Sequence, residues 1–196
     1  MRSLQTFWLS ACIIAGATTA FADKPPLDCG KHSLAEAVAG AASGETISFT
    51  GICKGPVVVA TDGLSLNGVG SAVIDGAGQD ALTVAGADRV SLNGIEVRNG
   101  VNGIVGVNGA HLALKSVNVH DNIVFGISLQ TSSSALLSSV TITRNGVHGL
   151  DLQTGSAATI SGTFTSSQNR VFGVNVNGSS LTFSRATATI SGNALG

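Results

Sequence analysis

An Asn-x-x-x-Gly frame returns at nearly constant spacing in the second half of the chain, and this repeat limits the fold more than any other feature. Four copies carry it: Asn99-Gly-Val-Asn-Gly103, Asn122-Ile-Val-Phe-Gly126, Asn145-Gly-Val-His-Gly149 and Asn169-Arg-Val-Phe-Gly173. The asparagines lie 23, 23 and 24 residues apart, and Asn193 follows 24 residues later. A period of this length is typical of proteins that stack one structural unit per repeat.

Apolar residues within each repeat are spaced i, i+2, as in a β-strand that buries alternate side chains. Such pairs precede the asparagine, as in Val117 and Val119, and follow the glycine, as in Ile127 and Leu129. Three short strands per repeat bury their apolar sides only when each repeat stacks on the next. The pattern predicts an all-β solenoid with three-sided coils. A leucine-rich repeat is disfavoured because its Leu-x-x-Leu-x-Leu frame is missing.

The repeated asparagine and glycine have structural roles in this interpretation. Asparagine side chains stacked at one corner would bond to the coils above and below, and asparagine tolerates the left-handed backbone of a sharp bend. The predicted ladder consists of Asn99, Asn122, Asn145, Asn169 and Asn193. The glycine is predicted to mark a second special backbone position.

The asparagine ladder and strands such as Gly126-Ile-Ser-Leu and Val90-Ser-Leu-Asn-Gly-Ile-Glu-Val resemble the right-handed parallel β-helix repeat family, which is pectate-lyase-like in architecture. The resemblance covers residues 46–196 and implies a right-handed parallel β-helix of about six to seven coils of about 23 residues. The family includes lyases, hydrolases, epimerases and adhesins, so the resemblance implies a polysaccharide as ligand without fixing an activity.

Residues 1–22 have the pattern of a secretory signal peptide, with Arg2, an apolar stretch and the small-x-small site Ala20-Phe21-Ala22. We therefore expect a secreted protein, extracellular or periplasmic, with no membrane span after cleavage. Two cysteines then remain, Cys29 and Cys53, and in an exported protein they are predicted to form one disulfide.

Residues 23–45 are predicted to form an N-terminal segment with a capping α-helix over residues 34–42. Ser33 and Glu36 match a capping box, and Leu34, Val38 and Ala42 form an apolar stripe that would cover the first coil of a β-helix domain over residues 46–196.

The last coil has no comparable cap. Three explanations are open: the chain is shortened relative to longer relatives, two copies pair end to end through this coil, or the last half-coil folds over the end. The small number of coils favours the first.

Charge excludes one class of partner. Only 11% of the residues are charged and the formal net charge is -1, so the basic stripe that nucleic-acid binding requires is missing. We expect no cofactor and no metal, because the cysteines and histidines lack metal-ligand spacing.

The segment Arg144-Asn-Gly-Val-His-Gly-Leu-Asp-Leu152 contains the first catalytic candidates, His148 and Asp151. His148-Gly149 is similar to the His-Gly motif of polygalacturonases, but the clustered aspartates of those enzymes are missing. Each charged residue of this segment also occupies a position that recurs in every coil. Arg144 corresponds to Asp121, with which it is expected to form a surface ion pair.

A second candidate site joins two coils. Glu96 and Arg98 are predicted to lie beside Asn118 and His120, with His120 as a base and Arg98 as a partner for an anionic sugar. No two carboxylates are predicted to share an outward column on neighbouring coils. That expectation disfavours both the paired carboxylates of glycosidases and a calcium site of the pectate-lyase kind.

We favour a non-catalytic function over an enzymatic one. The protein would either bind polysaccharide or serve a purely structural extracellular role. A flat polar face is predicted on one side of successive coils, formed by Ser128, Gln130, Asp151, Gln153, Asn175 and Asn177. The runner-up function is a lyase, hydrolase or epimerase that acts on acidic glycans.

Overall fold

The computed structural model describes residues 24–195, so the predicted signal peptide lies outside the described residues. The described part contains one helix, α1 (Leu34–Ala39). Its strands are β1 (Leu27–Asp28), β2 (Thr46–Lys54), β3 (Val57–Val59), β4 (Ser65–Asp75), β5 (Leu82–Ala85), β6 (Val90–Asn93), β7 (Glu96–Arg98), β8 (Ile104–Val107), β9 (His111–Lys115), β10 (Asn118–His120), β11 (Ile127–Leu129), β12 (Ser134–Thr143), β13 (Leu150–Gln153), β14 (Ala157–Ser167), β15 (Val174–Asn177) and β16 (Ser180–Ser191).

Two parallel sheets wrap around one apolar core. A six-stranded sheet of β3, β5, β8, β11, β13 and β15 forms the first face. The other strands form a ten-stranded sheet that bends along its length and supplies the second and third faces. The protein is a right-handed β-solenoid of about seven turns, which confirms the predicted fold class.

The bend between the second and third faces depends on one residue per coil with a positive φ. Glycine takes this position in several coils, for example Gly70 and Gly162, but Ser116, Ser139 and Arg185 adopt it as well. The pairing of β12 with β14 shifts register at this point, so the extra residue is a bulge. The bend separates the second-face strand of a coil from its third-face strand, as at Gly94 between β6 and β7.

The core consists of columns of aliphatic side chains that point inward from successive coils. On the first face, Leu82, Ile104, Ile127 and Leu150 stack with no exposed surface. Phe49 and Phe164 are the largest fully buried side chains. The i, i+2 pattern of the sequence corresponds to these columns.

The asparagine ladder runs through Asn122, Asn145, Asn169 and Asn193. The side-chain oxygens of Asn145, Asn169 and Asn193 each accept hydrogen bonds from the backbone N–H and the Nδ2 of the preceding asparagine, for example from Asn122 to Asn145 at 3.2 and 2.9 Å. Asn99 is not a member, so that part of the prediction is wrong: Gly100 holds the equivalent place and donates its N–H to Asn122 Oδ1 at 2.9 Å. The coil from Gly100 to Asn122 is therefore one residue shorter than the 23 residues that separate Asn99 from Asn122.

The left-handed backbone at this corner belongs to the residue before each ladder asparagine. Asn99, Asp121, Arg144 and Gln168 have φ values of 55°, 55°, 54° and 58°. The ladder asparagines serve instead as acceptors and donors between coils. The expectation that they occupy the left-handed position is therefore wrong.

A glycine recurs at regular spacing in the coils because its position leaves no room for a side chain. A Cβ built on Gly126 would lie 2.4 Å from Ile142 Cγ2 and 2.8 Å from Asn145 Nδ2. The same crowding occurs at Gly149, beside Ser166 and Asn169. A side chain at these positions would collide with the core and with the ladder.

The helix α1 covers the first coil with Leu34 and Val38, both 1% exposed. Ser33 caps its N-terminus by accepting the N–H of Glu36 at 3.3 Å. The helix ends at Ala39, before the predicted residue 42, because Gly40 forms the C-cap. Ala42 is exposed and not part of the apolar stripe. The predicted Cys29–Cys53 disulfide is confirmed and joins the segment before α1 to β2.

At the other end, β16 pairs with β14 and leaves large apolar side chains exposed. Phe183 is 49% exposed, although its partner in the preceding coil, Ile160, is fully buried. Among residues 24–195, no helix has the length and apolar character needed to cross a membrane.

Candidate functional site

Outward side chains of the third face form a polar strip, a term used here for the two in-register columns that cross five neighbouring strands. One column is Glu96, Asn118, Thr141, Thr165 and Thr189, and the other is Arg98, His120, Thr143, Ser167 and Ser191. Neighbouring strands of a sheet lie about 4.8 Å apart, so the strip is about 19 Å long. The predicted proximity of Glu96, Arg98, Asn118 and His120 is present at one end of it.

Arg98 is held between two carboxylates. Its Nη1 donates to Glu96 Oε1 at 2.8 Å, and its Nε lies 3.5 Å from Asp75 Oδ2 in the preceding coil. Asn99 Nδ2 also donates to Asp75 Oδ2 at 2.8 Å. Partial burial raises the pKa of Asp75, but the hydrogen bonds from Asn99 and the Ala77 N–H, together with Arg98, outweigh it and lower the pKa below its ordinary value.

His120 continues the network into the next coils. Its Nε2 lies 3.3 Å from Glu96 Oε1, and its Nδ1 lies 2.6 Å from Asp121 Oδ2. Arg144 binds Asp121 with two contacts, from Nε to Oδ1 at 2.9 Å and from Nη2 to Oδ2 at 2.8 Å. This is the ion pair that the sequence suggested. Hydrogen bonds from Arg144, and then from His120, lower the pKa of Asp121 to about 2.

Neither Asp75 nor Asp121 suits the role of proton donor in glycoside hydrolysis. Asp75 and Asp121 stay ionised at neutral pH, whereas glycoside hydrolysis requires a carboxylic acid that keeps its proton until it reaches the leaving group. Both ring nitrogens of His120 face carboxylate oxygens, and its side chain is only 11% exposed. A base must reach the proton that it removes, and His120 has little access to a ligand.

A shallow groove of about 350 Å³ adjoins the charged end of the strip. Small residues at the bend between the second and third faces create it, and Glu96 and Asn118 lie on its edge. The lining residues include Gly70, Ser71, Ala72, Gly94, Glu96 and Asn118.

His148 lies just before β13 of the first face, near Asp151, and takes no part in the network of Glu96, Arg98 and His120. Its ring is stacked between those of Phe125 and Phe172, with centroids 5.5 and 5.2 Å away. Burial lowers the pKa of His148, although the nearby Asp151 charge opposes this effect. Nδ1 faces the Phe172 N–H at 3.3 Å and accepts its hydrogen bond. These contacts give His148 a packing role in the coil.

The predicted polar face on the first sheet is largely closed. Ser128 and Asp151 have no exposed surface, so the expectation that they form an accessible outward column is wrong. The reason is that their neighbours fold over them: Gln130 Nε2 donates to Ser128 Oγ at 3.0 Å and Gln153 Nε2 to Asp151 Oδ2 at 2.6 Å. Of the other predicted members, Gln130, Gln153 and Asn175 are partly exposed, and Asn177 is exposed.

Asn175 completes this closed arrangement. Its Nδ2 donates to Asp151 Oδ1 at 2.7 Å, so both carboxylate oxygens of Asp151 have partners within the sheet. The amides that were expected to face a glycan are thus engaged with their neighbours.

The expectation that no two carboxylates share an outward column on neighbouring coils is also wrong. Asp62 and Asp88 lie at the same corner of neighbouring coils, and Asp62 Oδ1 accepts the Asp88 N–H at 2.8 Å. Asp88 in turn contacts His111 Nδ1 at 2.7 Å. In residues 24–195, no three His, Cys, Asp or Glu side chains converge as metal ligands.

Sequence reasoning did not place Asp75 or Asn99 in the network around Arg98. Asp75 holds a turn, in which its Oδ1 accepts the Ala77 N–H at 3.0 Å. Its other oxygen, however, faces the next coil. The alignment of Arg98 with Asp75 depends on a coil length that the asparagine spacing did not reveal.

Comparison with known proteins supports the fold assignment. The sequence matches the family described as "right handed beta helix region" over residues 56–195. No curated protein and no solved structure shows significant similarity to the chain. Because the match extends over more than half of its length, the chain belongs to the right-handed β-helix family.

Proposed function

We propose that this β-helix is a secreted protein that binds polysaccharide along the polar strip and does not cleave it. The observation that carries the proposal is the strip itself, two in-register columns of hydrogen-bonding side chains on five neighbouring strands. A ligand that repeats along its length can meet a similar partner in each coil. Polysaccharides are repeating chains rich in hydroxyl groups and suit such a surface.

Secretion is part of the same proposal. The signal-like sequence over residues 1–22 supports it, and so does the Cys29–Cys53 disulfide, because disulfides persist in oxidising compartments outside the cytosol. An extracellular or periplasmic location would bring the strip into contact with wall or matrix glycans.

We expect each contact to be weak. The chain contains no tyrosine, and its single tryptophan, Trp8, lies within the predicted signal peptide, so aromatic stacking on sugar rings contributes little. Affinity would therefore come from several coils that act together on one chain, and longer oligosaccharides should bind better than short ones.

The test is a combined binding and depolymerisation assay on the mature protein. A panel of acidic and neutral polysaccharides, with and without calcium, is scored for retention of the protein and for new chain ends. We expect retention without cleavage. Cleavage or epimerisation would instead support the lyase, hydrolase or epimerase alternative, and His120→Ala against His148→Ala would locate the site. A folded protein that binds no glycan would support a structural role.

A further inference from the structure

We infer that the strip recognises a neutral polysaccharide rather than an acidic one, an inference that rests on the proposed function above. The charges along the strip carry it. Each arginine in the network is already paired, Arg98 with Glu96 and Asp75, and Arg144 with Asp121. Beyond His120 the strip contains only hydroxyl side chains: Thr141, Thr143, Thr165, Ser167, Thr189 and Ser191.

An acidic glycan would bring a row of carboxylates or sulfates to this surface. Recognition of such groups uses arginines that are free to form paired hydrogen bonds with the anion. Here three carboxylates, Asp75, Glu96 and Asp121, surround the two arginines, and Glu96 and Asp121 already accept hydrogen bonds from them. An incoming anion would have to displace them and would meet their negative charge.

A neutral sugar fits the same surface without displacement. Its hydroxyl groups can donate to carboxylate oxygens and can both donate to and accept from threonine and serine hydroxyls. The three threonines of the first column, Thr141, Thr165 and Thr189, occupy paired positions on adjacent parallel strands. Because β-branched side chains have restricted χ1 angles, the hydroxyls are arranged before the ligand arrives.

The groove beside Glu96 and Asn118 gives the strip a distinct end. Its volume is about 350 Å³, and it is shallow and open to solvent. Small side chains at the bend leave room there for a branch or the terminal sugar of the chain. The two ends of the strip therefore differ, with the groove at the charged end and the hydroxyl columns at the other.

The main experiment compares neutral and acidic polysaccharides at low and high sodium chloride. The neutral probes are a linear β-glucan and a galactomannan, and the acidic probes are polygalacturonate and alginate. We expect the wild-type protein to bind a neutral probe with a dissociation constant that changes less than about twofold with salt, because no ion pair forms. The triple variant Thr141→Val, Thr165→Val, Thr189→Val should bind at least about tenfold more weakly.

Thr159→Val, Thr182→Val is the matched control. These threonines are also paired on β14 and β16, but they belong to the second face. The control should retain wild-type binding, and circular dichroism should show the same fold in all variants. If both sets of valine substitutions weaken binding equally, the strip is not the binding surface.

A charge-releasing variant tests the class of ligand directly. Glu96→Gln with Asp121→Asn removes a partner from each arginine and should create salt-sensitive binding of polygalacturonate that the wild type lacks. If wild-type protein instead prefers polygalacturonate or alginate and loses that affinity in salt, the neutral-ligand inference is wrong while polysaccharide binding stands. If no probe is bound, both proposals fail.

Discussion

At the scale of single residues, the two histidines that attracted attention in the sequence have different surroundings. His120 lies between Glu96 and Asp121 on the third face, whereas His148 is stacked between Phe125 and Phe172 on the first. The first histidine is part of a polar network, and the second occupies a position that other coils fill with phenylalanine. Residue type alone did not distinguish these roles, but the column in which each residue lies does.

The buried position of His148 should make the folding stability of the protein depend on pH. Burial lowers its pKa in the folded state, so below the ordinary value of 6.5 the unfolded chain takes up a proton that the folded protein resists. The free energy of unfolding should therefore fall as the pH decreases from 8 to 5. The variant His148→Phe should lose this part of the dependence, because a third ring would complete the aromatic stack without a titratable group.

The measurement is urea denaturation of both proteins across that pH range. Subtracting the variant from the wild type removes the effects of the other histidines and of the acidic groups. A wild-type curve that is parallel to the variant curve, or that rises toward pH 5, would contradict the assignment of His148 as a buried neutral histidine.

At the scale of structural elements, the corners determine how coils align. The asparagine ladder joins neighbouring coils through buried side chains, while the residue before each asparagine adopts the left-handed backbone. The spacing of the asparagines predicted the ladder but included Asn99, which belongs to the neighbouring column. Asn99 is exposed and bonds to Asp75, so its replacement should lower the free energy of unfolding much less than the replacement of a ladder asparagine.

Asn145→Ala should lower the free energy of unfolding by about 2–4 kcal/mol, because it leaves buried donors of Asn122 without partners and removes one of the two hydrogen bonds that Asn169 Oδ1 accepts from residue 145. Asn99→Gly is the control: glycine suits its positive φ, and the loss of one exposed hydrogen bond should cost less than about 1 kcal/mol. Equal losses in chemical denaturation would mean that the ladder contributes no more than a surface contact.

The positions of the strands were predictable because successive side chains of a strand point alternately into the core and outward. The inward columns through Ile127 and Leu129 follow from the i, i+2 pattern. The closure of Ser128 was not predictable from that pattern, because it depends on Gln130 folding across it. The end of α1 at Ala39 was also missed, since the apolar spacing continued to Ala42 while Gly40 stopped the helix.

At the scale of the whole molecule, the protein is a one-dimensional stack in which each coil is supported by its neighbours. The strip and its charge network depend on that register, because Asp75, Arg98, His120 and Arg144 come from successive coils. Sequence reasoning predicted the stack and the Arg144–Asp121 pair. It did not predict the polar strip of the third face, since the register of each coil depends on bulges of one residue.

The stack also predicts a gradient of stability along its axis. Strand β12 pairs with β9 and β10 on one side and with β14 on the other, whereas β16 pairs with β14 within the described part of the chain. We expect backbone amides of β12 to exchange with deuterium at least about tenfold more slowly than those of β16, a difference of about 1.4 kcal/mol in opening free energy. The strand β2 is the internal control, because β1 and α1 cover that end and should keep it better protected than β16.

Hydrogen exchange at two protein concentrations separates this gradient from self-association. Phe183 and Ile190 are 49% and 42% exposed on the last described coil. The proposal that two copies pair end to end through this coil therefore requires protection of β16 to rise with concentration. Constant, weak protection would leave the coil as a free end in solution. Protection of β16 equal to that of β12 at every concentration would contradict the gradient itself, since a coil supported on one side would then be as stable as one supported on both.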